Sequence, residues 1–106
     1  VPPVPPVPPV TPTSVTVHAP GAVPPASFMT MYGVVIPAHE NIVVQRQRNL
    51  NGVWTVLEQT TTSPDGTYSF MVGPFTTHTT YLYRVMALAD HLHTAGISND
   101  LVVNAY

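Results

Sequence analysis

The chain has 106 residues, the size of one domain, and only 8% of them are charged, against roughly 25% in a typical soluble domain. Three arginines and five acidic residues give a net charge of −2, so we expect no nucleic-acid partner and no docking to anionic membranes. No apolar run approaches the roughly 20 residues of a membrane-spanning helix, and the absence of cysteine excludes disulfides and thiolate metal sites.

The chain opens with a proline-rich tail, residues 1–13. Seven of the first twelve residues are proline, and Val-Pro-Pro is repeated over residues 1–9. Proline fixes φ and removes the amide donor, so the tail is predicted to form a polyproline II helix with three residues per turn. The valines then share one edge of that helix. The predicted contact residues are Val1, Val4, Val7 and Val10, with the rings of Pro2, Pro3, Pro5, Pro6, Pro8 and Pro9.

Two roles for the tail remain open. It is either a stiff spacer of a longer protein or an arm that docks into a groove of a neighbouring molecule. Donation of a β-strand is disfavoured, because prolines interrupt the amide ladder on both sides of the segment.

Residues 14–106 are predicted to form one domain, an all-β, antiparallel immunoglobulin-like sandwich of about seven strands. Apolar residues alternate in short runs, and turn signals such as Asn51-Gly52 and Pro64-Asp65-Gly66 separate them. No ten-residue segment has a helical period. The predicted strands are residues 14–19, 27–36, 42–48, 53–60, 67–72, 79–88 and 97–105.

The predicted core follows from the alternation in the later strands. One face of residues 67–72 is aromatic or branched, and so is one face of residues 79–88. The single tryptophan is expected to be a large anchor between the sheets. The predicted core anchors are Trp54, Tyr68, Phe70, Tyr83 and Val85.

Four short motifs occur in order: Ile-Val-Val-Gln-Arg at 42–46, Gly-Val-Trp-Thr-Val at 52–56, Asp-Gly-Thr-Tyr-Ser-Phe at 65–70 and Tyr-Arg-Val at 83–85. Together they resemble the cysteine-free immunoglobulin-like and fibronectin-III-like modules of bacterial secreted and surface proteins, over residues 14–105. The resemblance implies a tyrosine corner at Tyr83. The motif at 65–70 also resembles transthyretin-like carboxypeptidase-regulatory modules, which leaves the strand topology open.

The resemblance implies a non-catalytic protein that is secreted or displayed on a cell surface. With the charge-poor composition and the tail, it favours a structural subunit that assembles with copies of itself, head to tail, into a filament or surface layer. The alternatives are a spacer or adhesion module of a multidomain protein, with glycan contacts through Tyr32, Phe75 or Tyr106, and a virion decoration subunit.

Histidines and acidic residues are the only candidates for metal binding. Loops at one end of the predicted sandwich carry His39, His91 and His93, and either Asp90 or Glu40 could complete a ligand set. Because polar loops commonly carry histidine, the sequence predicts neither a metal nor another cofactor.

Catalysis is not expected. The sequence has no Gly-x-Ser-x-Gly motif and no glycine-rich phosphate loop. A pair of carboxylates for glycoside cleavage would have to join Glu40 to Glu58 or Asp65, and a small sandwich offers no deep cleft for the sugar.

Overall fold

A computed structural model of the protein describes residues 12–38, 40–90 and 93–106. Within these residues the chain forms nine β-strands. They are β1 (Ser14–Val15), β2 (Ala22–Val23), β3 (Met29–Ile36), β4 (Val43–Leu50), β5 (Val53–Thr61), β6 (Thr67–Val72), β7 (Thr79–Ala87), β8 (Gly96–Ile97) and β9 (Leu101–Ala105). This part of the chain holds no helix of the length and apolarity needed to cross a membrane.

The strands form two sheets with a common core. One sheet has three strands in the order β1-β3-β6, and the other has six, in the order β2-β9-β7-β4-β5 with β8 beside β7. All pairings are antiparallel except that of β2 with β9. The predicted immunoglobulin-like β-sandwich is therefore confirmed. We name the ends of the three-stranded sheet the Ile36 pole and the Met29 pole, after the two ends of β3.

The described residues form nine strands rather than about seven, because one strand is added and one predicted strand is divided. The predicted first strand, residues 14–19, ends before Pro20 and Gly21, after which the chain crosses to the other sheet and pairs with β9 as the additional strand β2. The last is divided into β8 and β9 at Ser98, whose side-chain hydroxyl accepts a hydrogen bond from Val85 N–H at 2.8 Å. That side-chain bond replaces a ladder bond and lets the chain bend.

The hairpin of β4 and β5 turns at Asn51-Gly52, as predicted. Both residues have positive φ, 54° and 85°, and Leu50 pairs directly with Val53. A two-residue turn with positive φ at both positions matches the twist of a hairpin and favours asparagine followed by glycine. The Asn49 side chain accepts a hydrogen bond from Gly52 N–H at 2.9 Å.

Four of the five predicted anchors, Tyr68, Phe70, Tyr83 and Val85, belong to the buried core. Trp54 does not, and its prediction as a core anchor is wrong. It lies half-buried on the edge strand β5, which has no fully buried residue. Its ring packs instead against Arg84, with the guanidinium carbon 4.2 Å from the ring centroid.

Gly33 allows an unusually close approach between β3, β6 and the segment that follows β1. A Cβ atom at this position would lie 1.8 Å from the Thr16 carbonyl oxygen and 2.7 Å from the Tyr68 hydroxyl. The Tyr68 hydroxyl occupies this space and donates a hydrogen bond to the Thr16 carbonyl. Burial raises the pKa of Tyr68 well above its usual value. The phenol therefore fastens the segment after β1 to the rest of its sheet.

Candidate functional site

An open groove of about 750 Å³ lies at the Met29 pole, where the chain leaves β1, crosses to β2 and returns to β3. We call it the His18–Tyr32 groove. Its walls combine prolines, aromatic rings, small and aliphatic residues and one histidine, and none of the lining residues is acidic, lysine or arginine. They are His18, Ala19, Pro20, Ala22, Val23, Pro24, Ser27, Phe28, Met29, Thr30 and Tyr32.

The exposed rings of the groove belong to Phe28 and Tyr32, which are 60% and 53% exposed. His18 and Tyr32 are joined by two backbone hydrogen bonds of 2.7 and 3.0 Å, and their ring centroids are 5.6 Å apart. The turn between β2 and β3 is held by the Ser27 hydroxyl, which donates to the Pro24 carbonyl at 2.6 Å. The aromatic wall is thus fixed by short backbone contacts before any ligand arrives.

The groove and the start of β1 lie at opposite poles. Ser14 pairs with Ile36, and Thr13 N–H donates to the Thr94 hydroxyl at the Ile36 pole. β3, with eight residues, spans about 26 Å between the poles at about 3.3 Å per residue. A chain that continues N-terminally along the direction of β1 therefore leads away from its own groove. The predicted contact residues of the tail, all within residues 1–10, lie outside the described residues.

The predicted metal ligands are brought together only in part. His93 and Asp90 form a tight loop: His93 Nδ1 lies 2.9 and 3.0 Å from the two Asp90 carboxylate oxygens, and His93 N–H donates to one of them at 2.7 Å. His39 and His91 lie outside the described residues. Among those that are described, no group of three or more histidines and acidic residues is arranged to hold a metal ion.

A second cluster, which the sequence did not predict, lies on the inner face of the six-stranded sheet. Two arginines of β4 pack over two tyrosines of β7: Arg46 lies 5.4 Å from the Tyr83 ring centroid, and Arg48 lies 4.3 Å from that of Tyr81. The tyrosine rings are nearly parallel, with centroids 5.8 Å apart. Because arginine is usually on the surface, alternation alone gave no sign that these two residues point between the sheets.

The tyrosine corner is formed by Tyr81 rather than by Tyr83, which corrects the expectation from the resemblance. The Tyr81 hydroxyl accepts a hydrogen bond from Thr76 N–H at 2.9 Å, five residues upstream. This bond, with the nearby Arg48 charge, lowers the pKa of Tyr81. Burial raises the pKa of Tyr83, which the charges of Arg46 and Arg48 partly offset.

Two residues that the sequence analysis considered for glycan contact or catalysis have other contacts in the structure. Phe75, proposed as an exposed contact for glycans, is buried against Tyr81 with ring centroids 5.2 Å apart. Glu58, considered as half of a catalytic carboxylate pair, forms an ion pair with Arg46 at 2.5 Å.

No family model and no curated protein matches the chain. Among solved structures it is similar to two of the CARDB domain of a Pyrococcus furiosus protein. The NMR structure is 11% identical, with a TM-score of 0.48, and the match covers 89% of this chain and 95% of that one. The crystal structure, in complex with di-metal ions, is 14% identical, with a TM-score of 0.47 and 86% coverage of both chains.

Proposed function

We propose that the protein is a non-catalytic, extracellular structural subunit that assembles head to tail, with residues 1–13 of one copy lying in the His18–Tyr32 groove of the next. The observation that carries this proposal is the groove itself: an uncharged surface of prolines and exposed aromatic rings. Proline-rich segments bind in aromatic-lined grooves of this chemistry, because a polyproline II helix is already ordered before it binds.

The geometry favours binding of the tail in the groove of a neighbouring copy rather than in the groove of its own chain. The tail joins the sandwich at the Ile36 pole, and the groove lies at the Met29 pole. A twelve-residue polyproline II helix is stiff and reaches about 37 Å at about 3.1 Å per residue. It would have to reverse its direction to reach its own groove, whereas a copy stacked on the Ile36 pole presents its groove directly. Contacts of this heterologous kind propagate into a fibre.

The energy is sufficient if the body of the sandwich also contributes. Burying the four tail valines gives a gross gain of about 6 kcal/mol, at about 1.5 kcal/mol each, before the entropy of association is subtracted. The outer face of the three-stranded sheet adds exposed apolar side chains, among them Ile36 and Met71. Burying these apolar side chains in an interface would not remove any charged group of this sheet from water.

The proposal is tested by following the size of the full chain against concentration, by sedimentation velocity and negative-stain microscopy. We expect oligomers that lengthen with concentration. Two variants should stop growth without lowering the melting temperature: Val4→Ser with Val7→Ser in the tail, and Tyr32→Thr in the groove. The matched control is Val102→Thr, which changes an exposed residue on the outer face of the six-stranded sheet and should assemble like the native chain.

A mixing experiment separates this mechanism from other forms of self-association. The tail variant keeps an intact groove, and the groove variant keeps an intact tail. Mixed together, the two should form a one-to-one dimer that cannot grow further, because its free groove and its free tail are both defective. A monodisperse native monomer at high concentration, or failure of the two variants to pair, would contradict the proposal and leave the spacer or adhesion module in its place.

A further inference from the structure

A small pocket of about 170 Å³ opens beside the arginine–tyrosine cluster on the inner face of the six-stranded sheet. The β4 arginines and β7 tyrosines form its polar side, and Leu57, Pro74 and Phe75 form most of its apolar side. We call it the Arg48 pocket. It is separate from the His18–Tyr32 groove, with which it shares no lining residue.

The two arginines of this pocket differ in their charge balance. Arg46 donates from Nε to Glu58, so its charge is compensated. Arg48 forms no ion pair within the described residues, and its Nε is buried there without a hydrogen-bond partner. Its guanidinium packs over the Tyr81 ring, 4.3 Å from the ring centroid. A buried donor on a charged group that lacks an acceptor carries a desolvation cost, which a ligand acceptor would remove.

We infer that the Arg48 pocket binds a small carboxylate-bearing molecule, whose carboxylate accepts hydrogen bonds from Arg48 and whose apolar part lies against Leu57, Pro74 and Phe75. An arginine that stacks on a ring uses the face of its guanidinium for that contact. The N–H donors at the edge of the same group suit a carboxylate, which they can bind through two parallel hydrogen bonds.

The charge of the site favours a carboxylate over a phosphate. Because Glu58 already neutralises Arg46, the pocket offers one uncompensated positive charge. A single carboxylate balances it. A phosphate dianion would leave an excess negative charge in a partly buried site close to Glu58, and an unpaired charge in such a site is costly.

The test uses benzoate as the probe and follows backbone amide and arginine Nε–H resonances of the full chain by NMR. We expect saturable shifts at Arg48 and at the Thr76 amide, which bonds to the adjacent Tyr81. Benzamide, the neutral analogue of the same shape, should bind much more weakly. Arg48→Gln should weaken benzoate binding roughly tenfold or more, since a charged hydrogen bond is lost.

Two matched pairs make the result specific to this pocket. Arg84→Gln removes an arginine that stacks on Trp54 outside the pocket, and the affinity for benzoate should stay unchanged. Leu57→Asp and Leu57→Asn both lose an apolar contact, but only Leu57→Asp places a competing carboxylate at the exposed rim. Leu57→Asp should therefore abolish binding, whereas Leu57→Asn should weaken it much less. The Leu57 pair leaves Arg48 in place, so it tests whether a carboxylate binds in the Arg48 pocket even if the Arg48 variant fails to fold.

Several outcomes would overturn the inference. They are the absence of saturable shifts, equal binding of benzamide and benzoate, equal losses in the Arg48 and Arg84 variants, and displacement of benzoate by inorganic phosphate at the same concentration.

Discussion

The two sheets of the sandwich differ sharply in charge. β1, β3 and β6 of the three-stranded sheet contain no acidic residue, lysine or arginine. The six-stranded sheet carries all three arginines of the chain and Glu58. Each of those arginines packs on an aromatic ring. The chain therefore confines its few cations to one sheet and leaves the other free to contact a partner without desolvating a charge.

The six-stranded sheet also has exposed apolar residues, and three of them lie on a protected edge. Val53, Val56 and Leu57 are exposed on β5, the last strand of the sheet. The pairing of β4 with β5 shifts register between Arg46 and Gln47, so Leu57 is the extra residue of a bulge, and Glu58 follows it. A bulge and a charge are both means by which edge strands avoid pairing with other chains. Uncontrolled association through this edge is therefore opposed.

The largest effect is expected from disrupting the three-stranded sheet at its closest contact. Gly33→Ala places a Cβ atom where the Thr16 carbonyl and the Tyr68 hydroxyl now lie, so one of the three strands must move. We expect a loss of about 3 kcal/mol or more in the free energy of unfolding, measured by denaturant titration. Gly21→Ala is the control, because a Cβ there meets nothing within 4 Å. Equal stability of the two variants would show that the chain does not approach Gly33 as closely as described.

The second prediction tests whether assembly needs the outer face of the three-stranded sheet to be free of charge. Thr30→Arg adds a charge at an exposed position that lines the groove, and Thr80→Arg adds the same charge at an exposed position on β7. Because an unpaired arginine resists burial, we expect the first variant to weaken association by about 2 kcal/mol and the second to leave it unchanged. Sedimentation velocity measures both. Equal behaviour would show that charge segregation has no part in association.

A smaller effect concerns alkaline pH. The raised pKa of folded Tyr68 means that above pH 10 the unfolded chain releases this proton while the folded chain retains it, so stability falls as pH rises. Tyr68→Phe loses a hydrogen bond and about 1 kcal/mol at pH 7, but its stability should fall less steeply above pH 10. Tyr81→Phe should not reduce the fall of stability with pH, because the pKa of Tyr81 is lowered rather than raised. Chemical unfolding at several pH values compares the two slopes.

The smallest effect distinguishes the two inner arginines. Arg46→Gln leaves Glu58 without its cation, whereas Arg48→Gln removes a cation that has no acidic partner among the described residues. We expect the Arg46 variant to be less stable than the Arg48 variant by roughly 0.5–1 kcal/mol, since both lose an aromatic stack and only one breaks an ion pair. The difference should shrink in 1 M salt. A less stable Arg48 variant would show that this charge is compensated in the folded chain.

Local patterns in the sequence predicted the fold well. The alternation of Tyr68, Phe70 and Val72 gave the buried face of β6, and Asn51-Gly52 gave the hairpin. Trp54 was misplaced because side-chain size favours burial everywhere, while strand order decides which strand lies at an edge. Tyr81 and Tyr83 both face inward, and only the path of the preceding loop determines which hydroxyl reaches Thr76.

The candidate sites depended on tertiary geometry and were harder to predict. The groove exists because the chain crosses from one sheet to the other between β1 and β2, which joins residues near 20 to Phe28 and Tyr32. The repeat in the tail allowed for an arm that docks into a groove, but it gave no indication of where such a groove lies. The Arg48 pocket depends on the Arg46–Glu58 pair across two strands, and the register of that pair is set by the bulge.

The attachment of β1 has a mechanical consequence. A pull on the chain N-terminal to Thr13 runs along the axis of β1, so it loads the bonds to β3 in shear, together rather than one at a time. The ladder is short, yet Thr16 N–H bonds to Val34, His18 pairs twice with Tyr32, and the Tyr68 phenol holds the Thr16 carbonyl from the opposite side of β3. β1 and the segment after it are thus held to the core by a side chain as well as by their own backbone.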